Sequence, residues 1–142
     1  MYKLEKAFEY ENGFMLTSSV DRISKFVSRV EFYNKTKNLP GEIIECGVFK
    51  GSSLSQFIKL RSLFGNAWSQ KIFAFDTFDK FPKKCSEDDK VYLKKFLNVA
   101  GDKSIKKNVL VKLLKYLKLY ENLDLIKGNI LDTVPKFVKT NK

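Results

Sequence analysis

Three short stretches of this chain carry residue types suited to holding a small molecule. The first is Glu45-x-Gly47-x-x-x-Gly51-x-Ser53. Glycines at this spacing let the backbone turn sharply and approach a ligand closely. A helix starting just after them offers free amides to an anion, so Gly51 and Ser52 suit a ligand carboxylate. Glu45 suits a ligand ammonium, directly or through water. The same turn is also ordinary architecture between a strand and a helix, and both readings stand at this point. The second stretch is Asp76-Thr77-Phe78. A carboxylate there can accept both hydroxyls of a ribose, and Phe78 could cover a purine face. The competing reading is a helix cap or a solvated turn acid. The third is Gly128-Asn129. Its side-chain amide could meet an adenine edge, although a Gly-Asn pair is also a common turn.

These residues need elements to position them. Thr17-Ser18-Ser19 precedes an apolar rhythm at Val20, Ile23, Val27 and Val30, which predicts a helix to about Tyr33, with Ser18 and Asp21 resembling a capping box. Pro40-Gly41 breaks the chain. Glu42–Val48 reads as a strand, and Ser52 or Ser53 as the cap of a helix with an apolar stripe at Leu54, Phe57, Ile58 and Phe64, Arg61 lying at its edge. Lys71–Asp76 reads as a second, nearly all-apolar strand. Ser86 with Asp89 opens a third helix through Val91, Phe96 and Val99 that Gly101 ends. Ser104 caps a fourth, with Ile105, Val109, Leu113, Leu117 and Tyr120 on one face. Leu123–Lys127 is a third strand, and Asp132 or Thr133 starts a last helix with Pro135 in its first turn. Continuous apolar strands separated by helices predict an α/β fold: part of a doubly wound parallel sheet with helices on both faces. Ligands of such sheets bind beyond the carboxyl ends of the strands, where the three stretches fall. Together they ask for a carboxylate, an ammonium, a ribose and an adenine. S-adenosylmethionine carries all four.

The 142 residues fit one domain, and 44% hydrophobic content fills a core. Disorder and a disulfide scaffold are thereby excluded. The net charge of +11 is interleaved along the chain and carried mostly by lysine, with arginine only at positions 22, 29 and 61. That pattern favours a solubilising face over a nucleic-acid footprint. The chain has no histidine, which excludes Ser-His-Asp and Cys-His catalysis and any His-ligated metal. The two cysteines, Cys46 and Cys85, have no metal-ligand spacing, and no apolar run is long enough to cross a bilayer. A reduced, cytoplasmic protein is expected.

Three ordered segments also resemble one family. Pro40–Ser53 is similar to the first motif of the macrocin O-methyltransferases, Ala74–Pro82 to their segment after strand two, and Lys127–Pro135 to their segment after strand three. Gly13–Thr17 is more loosely similar to the N-terminal segment that closes over the cofactor. The likeness runs from about residue 13 to 138. Ser52 stands where the family has a second glycine, Phe49-Lys50 where it has Trp-Arg, and Asn129 where it has an aromatic.

The resemblance implies a class I, Rossmann-like methyltransferase fold and S-adenosylmethionine, with magnesium in the family although no ligands for it are identifiable here. It implies O-methylation of a sugar or another small hydroxylated metabolite. Met15, Glu45, Gly47, Gly51, Ser52, Ser53, Asp76, Thr77, Phe78, Gly128 and Asn129 are the expected cofactor contacts, and no catalytic residue is assigned. Residues 1–39 are expected to form a helical cap and 40–142 the cofactor-binding half, the other half lying outside the chain. Strand one would then be an exposed edge, open to homo-oligomer formation. The alternatives are a non-catalytic nucleoside-binding or self-assembly module and, less favoured, a basic RNA-binding protein. No membrane partner is expected.

Overall fold

The computed structural model describes residues 3–81 and 87–141. Cys85 and the Ser86 cap lie outside them. The chain divides into two compact units, residues 1–36 and 37–142. Among the described residues no helix is long and apolar enough to cross a membrane.

The first unit is helical. A 3-10 turn at Leu4–Lys6 leads into α1 (Ala7–Thr17), and α2 follows (Val20–Thr36). The sequence pattern anticipates the start of α2 and stops it three residues short. It does not anticipate α1, which has no buried residue and carries glycine at position 13, so neither periodicity nor propensity marks it.

The second unit is built on three parallel strands: β1 (Ile43–Cys46), β2 (Ile72–Asp76) and β3 (Leu123–Lys127), in the order β1-β2-β3. The register pairs Ile43 with Ile72 and Ile72 with Leu123. Parallel neighbours need crossovers, and α3 (Ser52–Phe64) supplies the first. The second uses α4 (Glu87–Ala100) and α5 (Lys107–Tyr116), and α6 (Ile130–Thr140) follows β3. This is a partial doubly wound parallel α/β sheet.

Strand alternation sends odd and even positions to opposite faces. On one face Ile72, Ala74, Leu123 and Leu125 pack with Leu54 and Ile58 of α3 and Leu110 and Leu114 of α5. Full burial of each such aliphatic side chain stabilises the fold by roughly 1.5–3 kcal/mol. On the other face Phe73 and Phe75 meet Phe137 of α6, with ring centroids 4.6 and 5.3 Å apart. All five residues of β2 are buried, as its unbroken apolar run predicts. β1 is at the sheet edge and leaves Ile44 half exposed and Cys46 exposed.

Several local expectations are corrected. Ser52 is the first residue of α3, whose cap is Gly51 in the left-handed conformation without a side-chain bond. Arg61 is not at the edge of α3 but fully buried, at 1% exposure, while Phe64 is exposed. The Arg61 guanidinium donates to the carbonyls of Gln70 (2.8 Å), Glu121 (2.7 Å) and Asn122 (3.0 Å), which tie off the turns entering β2 and β3. A buried arginine is tolerable when its donors are this well used. Ser104 caps no helix: its own amide is bonded to the Asp79 carbonyl, and α5 starts at Lys107. The buried stripe of α5 is Leu110 and Leu114, one position round from the expected Val109 and Leu113, and Leu117 is exposed. The last helix starts at Ile130, which puts Pro135 inside it rather than in its first turn.

Candidate functional site

The chain reverses direction at the carboxyl end of each strand, and the three reversals are tied to one another. Gly47 follows β1 with φ +94, and its amide donates to the Phe75 carbonyl at 2.8 Å. A Cβ on Gly47 would meet nothing within 4 Å, so the backbone angle is what requires glycine there. Phe49 is also left-handed, at φ +49. Asp76 ends β2 and is buried. Its carboxylate accepts the Phe49 amide at 2.9 Å on one oxygen and the Phe78 amide at 2.6 Å on the other. Its main-chain carbonyl accepts the Gly128 amide at 2.9 Å. One residue thus joins the loops after all three strands. Phe78 too is left-handed, at φ +50, so Asp76 holds two bulky residues in a conformation that costs about 1–2 kcal/mol each.

A cavity of about 300 Å³ opens at these ends. Gly47, Asp76, Thr77, Gly128 and Asn129 line it from the strand ends. Three phenylalanines close it: Phe49, Phe81 and Phe96, with pairwise centroid distances of 5.9, 5.2 and 5.9 Å. Tilted and edge-on rings at these distances add attraction beyond the area they bury. Ser104 and Ile130 complete the lining. The segment after α4 is stitched onto the same region. The Phe81 amide donates to the Asp102 main-chain carbonyl, the Ile105 amide to the Phe49 carbonyl at 2.7 Å, and Lys50 Nζ to the Lys103 carbonyl.

The expected site residues therefore divide. Gly47, Asp76, Thr77, Gly128 and Asn129 come together at the cavity. Phe78 does not: it is 3% exposed and belongs to the hydrophobic core, and Phe49, Phe81 and Phe96 provide the aromatic wall instead. Glu45 and Ser53 meet each other, the Ser53 hydroxyl donating to Glu45 Oε1, and neither lines the cavity. Gly51 caps α3 against Leu110 and Ile105, with Ser52 just inside the helix. Met15 lies on α1 in the first unit and is exposed. Asn129 Oδ1 accepts the Leu131 amide at 3.1 Å and so caps α6, while its own position still borders the cavity. Phe81 and Phe96 were legible only as helix or loop apolars, because nothing in their spacing marks them as neighbours of Phe49.

The cavity is suited to a flat apolar group against the phenylalanines and to hydroxyl donors at Asp76. Asp76 Oδ2 accepts the Phe49 amide, and Oδ1 accepts the Phe78 amide and, at 3.4 Å, the Thr77 hydroxyl. Of about four acceptor positions on a carboxylate one takes a ligand hydroxyl directly, and a second opens where the Thr77 proton turns to the Lys80 carbonyl at 3.1 Å. Among the described residues no group of three or more His, Cys, Asp or Glu could hold a metal, so the described residues do not fit magnesium.

The model of the macrocin-O-methyltransferase (TylF) family matches residues 15–141. Among solved structures the chain is similar to CalS11, a calicheamicin methyltransferase, with 24% identity over 94% of this chain and 55% of that one, at a TM-score of 0.68. A second, apo structure of CalS11, described as a TDP-rhamnose 3'-O-methyltransferase, matches at 22% identity over 95% and 53%, TM-score 0.55. The O-methyltransferase NovP matches at 16% identity over 82% and 48%, TM-score 0.61. No curated protein matches the chain significantly. The chain spans about half the length of the solved structures it resembles. Likenesses at this identity carry the fold, and the family model, covering nearly the whole chain, carries the assignment: the chain belongs to the macrocin-O-methyltransferase family.

Proposed function

We propose that this chain is the cofactor-binding portion of an S-adenosylmethionine-dependent O-methyltransferase acting on a sugar or another small hydroxylated metabolite. The observation that carries this reading is the cavity at the ends of β1, β2 and β3, where a buried carboxylate, two glycine turns and three phenylalanines converge. Family membership supports methyl transfer, and the O-methyltransferase activity described for the similar structures supports a hydroxyl acceptor.

S-adenosylmethionine, when bound, supplies an electrophilic methyl group on a sulfonium. The residues of this chain hold and orient. Asp76 would accept the ribose hydroxyls, and the Phe49–Phe81–Phe96 wall would pack the adenine and exclude water from it. Gly47 and Gly128 would let the main chain run close to the ligand. The first-turn amides of α3, which have no acceptor within the helix, would face the methionine carboxylate, with the Glu45–Ser53 pair nearby. Positioning of this kind is the principal contribution a protein makes to an in-line displacement. The acceptor and its proton are assigned to no residue here.

Calorimetric titration of the chain with S-adenosylhomocysteine tests the reading. Saturable one-to-one binding is expected, weakened in Phe96→Ala with the far-ultraviolet dichroism unchanged. A folded chain that takes up no S-adenosylhomocysteine overturns it.

A further inference from the structure

A second cleft opens at the same ends of the sheet, on the other side of the turn that follows β2. Asp76 and Thr77 face the first cavity, whereas Phe78 and Asp79 face this one; likewise Gly128 and Asn129 face the first, and Lys127 the second. The cleft measures about 710 Å³, within the size range of small-molecule sites. Four lysines line it: Lys106 at the cap of α5, Lys107 and Lys112 from its first and second turns, and Lys127 from the end of β3. Asp79 is its sole carboxylate among the described residues.

Among the described residues these lysines are not neutralised by ion pairs. Lys107 Nζ donates to the Leu125 carbonyl at 2.7 Å, which pins one ammonium over β3. Lys106, Lys112 and Lys127 enter no ion pair or side-chain hydrogen bond among the described residues. The first turn of α5 carries no acidic residue to offset them. Cations there oppose the helix dipole and one another, so the arrangement is unfavourable by itself and is relieved by an anion. Concave walls with four lysines against one carboxylate also focus a positive field into the cleft.

We propose that this cleft binds the phosphate groups of a small polyanionic ligand, a diphosphate being the simplest, at a site separate from the cofactor cavity. Lysine ammoniums bind phosphate as point charges. A small ligand is favoured over RNA on three grounds. The cleft is of small-molecule size. Its one aromatic residue, Phe78, is 3% exposed and offers no face for stacking bases. It has no arginine for base edges, and Arg61 is buried elsewhere.

The test titrates inorganic pyrophosphate, and separately uridine diphosphate, into the intact chain at low and at physiological salt. One-to-one binding is expected, weakened about tenfold or more in Lys112→Gln/Lys127→Gln, because two of the four facing charges are gone. Equal affinity for the two probes identifies a site for the phosphates alone, and tighter uridine diphosphate a site that also contacts the organic part; either supports the proposal. Lys136→Gln/Lys139→Gln on α6 keeps the same net charge as the cleft variant and is expected to bind like the parent. An equal loss in both variants means diffuse attraction to a basic protein and overturns the site. So does the absence of saturable binding, and so does a single-stranded RNA that binds tighter with length and resists pyrophosphate. Titration of the cleft variant with S-adenosylhomocysteine keeps the two readings apart, since loss of pyrophosphate binding alone leaves the cofactor site intact.

Discussion

Replacing Asp76 with alanine tests whether this carboxylate holds the strand ends together as well as facing the cavity. Two backbone amides lose a charged acceptor: Phe49 at 2.9 Å and Phe78 at 2.6 Å. Hydrogen bonds to charged groups contribute roughly 1.5–3 kcal/mol each, so the gross loss is about 3–6 kcal/mol. Part returns if the two phenylalanines relax from their left-handed angles, at about 1–2 kcal/mol each. The half-buried Phe49 loop can also reach water. The expected net loss is about 2–3 kcal/mol, or roughly 4–12 °C in Tm for a chain of this size. Asp76→Asn should fall between parent and alanine, since its one carbonyl oxygen can serve one amide while its NH2 faces the other donor. Asp79→Ala, at an exposed carboxylate three residues on, should stay within about 0.5 kcal/mol of the parent. The assay is urea and thermal unfolding followed by far-ultraviolet dichroism, without ligand. An alanine variant as stable as the Asp79 control would refute the reasoning and leave Asp76 only a ligand contact.

Two further perturbations read other parts of the frame. Arg61→Met keeps the apolar stem but removes the guanidinium that serves three carbonyls, and should lower unfolding free energy by about 3–5 kcal/mol, seen as a shift of the urea midpoint; a loss under about 1 kcal/mol would mean that water replaces it freely. Gly128→Ala places a Cβ 2.6 Å from Thr133 Cγ2 at φ +150 and should cost about 2 kcal/mol, of which Thr133→Ser in the same chain restores about half by removing that methyl; strictly additive effects in the cycle would rule out the clash.

Much of the frame was readable before any coordinates. β3 runs over the residues that its alternating apolar pattern marks, and β2 loses only Lys71, because a continuous apolar run flanked by charges has little other use. β1 is shorter than its hydrophobic run, because Gly47 and Phe49 leave the extended region immediately after Cys46. What failed depended on tertiary partners. The stripe of α5 was displaced by one position, because Val109, Leu110, Leu113 and Leu114 offer two adjacent apolar faces and only packing on Ile72 and Leu123 chooses between them. Arg61 reads as a rim residue because its partners are backbone carbonyls, two of the three about 60 positions away, which no side-chain pattern reveals. At the site, Gly47, Asp76 and Gly128 at the strand ends are visible from local chemistry, while Glu45 turns to Ser53 and the aromatic wall lies elsewhere than Phe78. Phe78 lies two residues after Asp76, yet the left-handed turn sends it into the core, and Phe81 and Phe96 close the cavity from more distant positions.

The strand order has a consequence for how the chain is made. β2 is the middle strand, yet its partner β3 lies far downstream: Ile72 pairs with Leu123, 51 positions later (123 − 72). At about 5–20 residues per second of synthesis, the gap is roughly 3–10 s. During it Ile72-Phe73-Ala74-Phe75, the most apolar strand of the sheet, has only β1 beside it and lacks the Phe137 ring that later covers one face. Pairing this remote also slows folding, since long loops must close before any contact rewards them. Lys71 on one side of the run, and Asp76, Asp79 and Lys80 on the other, flank it with charge. They serve as gatekeepers for a nascent strand that is sticky before it is structural.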